Sequence, residues 1–269
     1  MQTTIAIDGI SLEGVWFGPR PQEAPTIVMM HEGLGSVSTW RNFPERLAKA
    51  TKAGVFVFSR AGYGRSSPAR LPRPVDYLRR EALEVLPKVL DAIGFRRGIL
   101  FGHSDGGSIA AIYAGSIQDH RVRGLVLIEP HFFVEEMNLA AIRKTAEDYK
   151  TTDLRARLQR HHANADDTIQ GWLDFWLNPE FKSFDMREEL RYIRVPILYV
   201  KGENDPYGTM EQVRTAEAEC QCPLEVLVVP NARHAPHHEQ PEMTLSAISA
   251  FINHVLWFHE AEPARSLTG

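Results

Sequence analysis

The feature that most constrains this chain is an alternation of two hydrophobic patterns. Six short, nearly continuous apolar runs occur at residues 26–30, 55–58, 99–101, 125–128, 197–200 and 226–229. A strand buried on both faces reads this way. Longer stretches with apolar residues at helical spacing lie between them, chiefly 74–94, 105–118 and 241–258. Gly94 supplies a C-terminal stop for the first of these. Residues 3–7 and 11–17 add an antiparallel hairpin turning at Asp8 and Gly9. Strand and helix in alternation predict an α/β fold: a mostly parallel sheet of eight strands with helices on both faces. One stretch breaks the rhythm. Residues 131–186 hold no strand pattern, only helical segments at about 143–150, 154–162 and 168–177. They are expected to form a helical cap inserted after strand 6 into a core made of residues 1–130 and 187–269. The insertion is too short to own a core.

Composition bounds the rest. With 269 residues, 43% of them hydrophobic, the chain can bury a core without disulfide or metal staples. The net charge of −4 and the lack of a lysine-arginine stripe give no footprint for nucleic acid. Cys220 and Cys222 are one residue apart, too close for an easy mutual disulfide, which favours a reducing compartment. The N-terminus lacks the basic start and apolar stretch of a signal peptide, and no run of about 18 apolar residues could span a bilayer. The expectation is a cytoplasmic protein without membrane association, with a small molecule as substrate and homodimer formation left open.

The chemistry centres on residues 102–106, Gly-His-Ser-Asp-Gly. A bare G-x-S-x-G recurs by chance in roughly one chain in ten of this length. Here it follows a buried strand and precedes a helix rich in small residues, the setting a nucleophile on a sharp strand–helix turn requires. Residues 31–36 (HEGLGS) follow an earlier strand and could turn a backbone N–H toward Ser104. Gly33 is the preferred donor and Leu34 the second, with the N–H of Asp105 completing an oxyanion hole. Asp205 follows the 197–200 run and His234 follows the 226–229 run. Ser–Asp–His is the chain order this mechanism expects. His234 would deprotonate Ser104, and Asp205 would fix its tautomer. Glu129, ending the 125–128 run, competes with Asp205 for the acid role, and His237 and His238 compete with His234.

These motifs together (HEGLGS, SRAGYGRS, GHSDGG, GEND and RHAPHHEQP) resemble the α/β-hydrolase family, in its serine-hydrolase branch with a helical lid, over essentially the whole chain. The resemblance implies acyl transfer through Ser104 without a cofactor. An aspartate at 104 would instead mark the dehalogenase and epoxide-hydrolase branches. Three residues depart from the family pattern: Glu32, Ser59, and Asp105, whose charge beside the oxyanion hole would oppose an anionic intermediate unless it points away. The expected substrate is a small or medium carboxylic ester, thioester or lactone, partly aromatic. A carbon–carbon bond hydrolase of aromatic degradation is the alternative chemistry. A slow or inactive ligand receptor on the same scaffold is the alternative of another class.

Plainer roles compete with several of these residues. His31 and His103 are expected to be hydrogen-bonded structural histidines. No metal site is expected, since the adjacent His237, His238 and Glu239 cannot easily converge on one ion. Trp172, Phe175 and Trp176 serve packing first. As a second role Trp172 and Trp176 line a substrate pocket with Leu34, Glu129 and Phe132, and Phe133 beside them. Residues 60–65 read as a structural turn.

Overall fold

The computed structural model describes residues 1–258. Its eight strands are β1 (Gln2–Ile7), β2 (Ile10–Phe17), β3 (Thr26–Met30), β4 (Gly54–Phe58), β5 (Gly98–His103), β6 (Val122–Ile128), β7 (Ile197–Gly202) and β8 (Leu224–Val229). They form one sheet in the order β1-β2-β4-β3-β5-β6-β7-β8. Only β2 runs against its neighbours; every pair from β4 to β8 is parallel.

Successive residues of a strand face opposite ways, so each central strand feeds two cores. Ile27, Met29, Val55, Val57 and Phe101 face a layer built by α1 (Phe43–Thr51) and α11 (Pro241–Asn253). Val28, Met30, Phe56, Phe58 and Leu100 face the other layer. That layer includes α2 (Tyr77–Arg80), α3 (Leu86–Ala92) and α4 (Asp105–Ser116).

Three expectations need correction. β8 is not buried on both faces: it is an edge strand with one neighbour, and Val228 is 40% exposed. The 74–94 stretch is not one regular helix. A π turn at Glu81–Val85 separates α2 from α3, just before Pro87, which lacks an N–H and crowds the carbonyl one turn back. In the insertion, α5 spans Glu136–Thr151 rather than starting at 143. Its inner face carries polar Asn138 and Thr145 beside Leu139 and Ile142, which hid the stripe.

The insertion continues with α6 (Leu154–Gln159), α7 (Ala165–Trp176) and a 3-10 turn at Pro179–Ser183. Its aromatic side chains, Phe132, Phe175, Trp176, Phe181 and Phe184, join the same apolar cluster as the sheet. The chain then adds α8 (Arg187–Tyr192), α9 (Met210–Glu219) and the single turn α10 (Pro236–Glu239). Cys220 and Cys222 carry free thiols. Among the described residues no helix is long and apolar enough to cross a membrane.

Candidate active site

Strand β5 ends at His103 and α4 begins at Asp105, so the chain reverses at Ser104, with φ 52° and ψ −117°. A non-glycine residue in that region costs about 1–3 kcal/mol and persists only where its surroundings impose it. Close packing imposes it here. A Cβ on Gly102 would lie 2.1 Å from the Gly106 carbonyl oxygen, and one on Gly106 would lie 2.2 Å from that of Met30. The two glycines let α4 approach β3 and β5, and the turn pushes Ser104 out at the N-terminus of a 12-residue helix.

The loop after β3 is held by a buried arginine. Arg60 donates from Nη1 to the His31 carbonyl (2.6 Å) and from Nη2 to that of Glu32 (3.1 Å). Its Nε donates to the Tyr77 hydroxyl at 3.2 Å. Its backbone N–H donates to His31 Nε2 at 3.1 Å, leaving His31 Nδ1 to donate to the Glu32 carbonyl at 2.6 Å. With these carbonyls taken, the N–H groups of Gly33 and Asp105 have no acceptor among the described residues, and both residues line one cavity. Gly33 tolerates no side chain, because a Cβ there would meet Trp172 Nε1 at 2.0 Å. Gly33→Ala is therefore expected to cost about 1–3 kcal/mol by overpacking. In a double-mutant cycle with Trp172→Ala, read by urea midpoints, the two losses should fall well short of additive; full additivity would show that the contact is absent.

The cavity, of about 120 Å³, opens at Ser104 between Leu34, Trp172, Trp176 and His234. His234 Nδ1 lies 2.8 Å from Asp205 Oδ1, which also accepts the Tyr207 N–H at 2.9 Å. Among the described residues Ser104 Oγ makes no hydrogen bond with His234, an open arrangement usual before substrate arrives. His103 supports the same loop from beneath, its Nε2 lying 2.6 Å from the His234 carbonyl. The rival histidines sit elsewhere: His237 is buried against Trp40 and Phe43, and His238 Nε2 bonds the Thr39 carbonyl. Glu239 bonds the Arg233 N–H, so the three do not converge.

Both candidate acids are present, joined by a lysine. Lys201 Nζ lies 3.0 Å from Glu129 Oε2 and 3.3 Å from Asp205 Oδ2, and all three side chains are buried. Glu129, Asp205 and His234 lie close enough to share a cation, and the Lys201 ammonium already supplies one there. Burial opposes ionisation of Asp205, but the His234 contact, Glu129 and Lys201 hold it well below the usual carboxylate range. Glu129 goes the other way, held well above that range by burial and then by the Asp205 charge, with Lys201 opposing. The two signs differ in consequence. Asp205 contributes stability above about pH 4, lost only in strong acid, whereas Glu129 keeps a proton that the unfolded chain releases above about pH 4. Its contribution thus declines as pH rises toward its folded value. Glu129→Gln should gain stability relative to the parent between about pH 5 and 8. Urea midpoints of the two proteins that keep a constant gap across that range would contradict this.

The sequence profile of the alpha/beta hydrolase family matches residues 27–247. The chain belongs to the α/β-hydrolase family. A 115-residue stretch is 32% identical to the 1-acylglycerol-3-phosphate O-acyltransferase ABHD5 of Homo sapiens, covering 42% of this chain and 32% of that protein. A 119-residue stretch is 30% identical to the (lyso)-N-acylphosphatidylethanolamine lipase of Bos taurus, covering 44% and 34%. The chain thus spans about a third of the length of these curated relatives. Among solved structures, the enol-lactonase of Burkholderia xenovorans superposes with a TM-score of 0.70 at 19% identity, over 93% of this chain and 99% of that one.

Within this α/β-hydrolase, two expected pocket residues lie away from the cavity. Phe132 is fully buried under the insertion, edge-on to Tyr199, because its N–H is taken by Gln212 and its ring turns into the sheet core. Glu129 points beneath His234 toward Lys201 and the Gly202 N–H. Phe175 likewise packs in the core, and the partly buried Phe133 packs against it. The departures from the family pattern find partners. Ser59 donates to Glu13 at 2.8 Å and accepts from the Val37 N–H at 2.9 Å. Burial disfavours ionised Glu32, but His103, whose Nδ1 lies 3.5 Å from Oε2, holds its carboxyl down at about 2. Asp105 turns away from the cavity, Oδ1 accepting from Trp176 Nε1 at 3.1 Å and Oδ2 lying 4.0 Å from Arg60. Arg60, Lys201 and His131 were not anticipated as site residues. The signal for the first two was weak: an arginine beside a glycine turn, and a lysine inside an apolar strand pattern.

Proposed function

We propose that this α/β-hydrolase is a serine hydrolase that cleaves a small carboxylic ester through an acyl-enzyme on Ser104. Ser104 Oγ attacks the carbonyl carbon and passes its proton to His234 Nε2, while Asp205 holds Nδ1 and balances the imidazolium. The unspent N–H groups of Gly33 and Asp105 donate to the oxyanion, with the N-terminus of α4 behind them. His234 then protonates the departing alkoxide and activates the water that clears the acyl group. The observation that carries this reading is the 2.8 Å contact from His234 Nδ1 to Asp205 at the mouth of the cavity into which the strained Ser104 turn opens.

The cavity is small and walled by Trp172, Trp176 and Tyr207, which suits a short acyl group. The two curated relatives are named for acyl chemistry on phosphate-bearing lipids. A phosphate deep in this cavity would face the Glu32 carboxylate with no lysine or arginine among the lining residues, so a neutral ester is preferred. Turnover of short-chain p-nitrophenyl esters, with covalent labelling by a fluorophosphonate, tests the proposal; a folded protein that does neither is not a serine hydrolase.

A further inference from the structure

Besides the Ser104 hydroxyl, two polar side chains that line the cavity have nothing to bond among the described residues. Asn138, at the start of α5, and His131, three residues after β6, are 1% and 2% exposed. Asn138 Oδ1 and His131 Nδ1 have no hydrogen-bond partner, and neither side chain bonds another described residue through its other nitrogen. Leaving such groups unpaired costs about 1–3 kcal/mol each, and apolar residues of the same size would avoid that cost.

The chemistry of the pair narrows what could satisfy them. Burial, with His234 stacked at 5.9 Å, pushes the His131 imidazole down to about 3, so it stays neutral and offers one donor and one acceptor. The Asn138 amide also offers both. An anionic group would satisfy only their donors and would face Glu32; an ammonium group would satisfy only their acceptors. A hydroxyl both donates and accepts, and it is small enough for a cavity of about 120 Å³.

We infer that the acyl group accepted at this site carries a hydroxyl, held between Asn138 and His131. The inference rests on the acyl-enzyme reading above and adds the substrate class. The test compares p-nitrophenyl 3-hydroxybutyrate with p-nitrophenyl butyrate, which share a leaving group and differ by one oxygen. The parent protein should prefer the hydroxy ester by about tenfold in kcat/KM, since the plain ester leaves buried polar groups unpaired. Asn138→Leu and His131→Phe should each bring the ratio toward one; as a ratio, it is insensitive to a general loss of activity. A parent ratio near or below one overturns the inference, as does a preference that survives both variants. If a variant fails to fold, the parent ratio decides. Equal turnover of both esters leaves the serine-hydrolase reading standing, whereas no turnover and no fluorophosphonate labelling removes both.

Discussion

Ser104→Ala is expected to lose ester turnover by about a million-fold and to lose fluorophosphonate labelling altogether. The change removes one oxygen and little else. Ser104 Oγ makes no hydrogen bond to any described residue, while the backbone turn is enforced by the contacts at Gly102 and Gly106 rather than by the serine side chain. The melting temperature should therefore stay within a degree or two of the parent. Labelling that persists in the variant would move the nucleophile elsewhere, and a collapsed fold would mean that the hydroxyl is structural.

Asp205→Asn should follow with a loss in kcat of about ten thousand-fold. An amide there cannot balance an imidazolium, and its NH₂ would favour the wrong tautomer of His234. Glu129→Gln should cost no more than about tenfold, because Glu129 bonds Lys201 and the Gly202 N–H, whereas the hydrogen bond to His234 Nδ1 is made by Asp205. Steady-state rates on one p-nitrophenyl ester, read for both variants, separate the two carboxylates. The opposite ranking would assign the acid role to Glu129, from the end of β6.

The architecture was legible because apolar continuity and strand–helix alternation are strong signals in a parallel sheet. They failed where burial was one-sided, at β8, and where polar side chains interrupt a buried helix face, at Asn138 and Thr145. The positions of Ser104, Asp205 and His234 were legible because each follows a recognisable strand. What surrounds them was not. Phe132 and Trp176 look alike in sequence, yet the first turns into the sheet core and the second lines the cavity. Nothing local marks Lys201 as the partner of two acids, since that role arises only when β6 and β7 pair and bring Glu129 alongside.

Asp105 looked at first like a misplaced charge beside an oxyanion. In the fold its backbone faces the cavity and its carboxylate faces α7 through Trp176. The consequence matters to anyone redesigning this protein. Replacing Asp105 by an apolar residue would relieve no repulsion. It would strand the Trp176 indole N–H and loosen the wall of the cavity, so such an exchange would have to change position 176 at the same time.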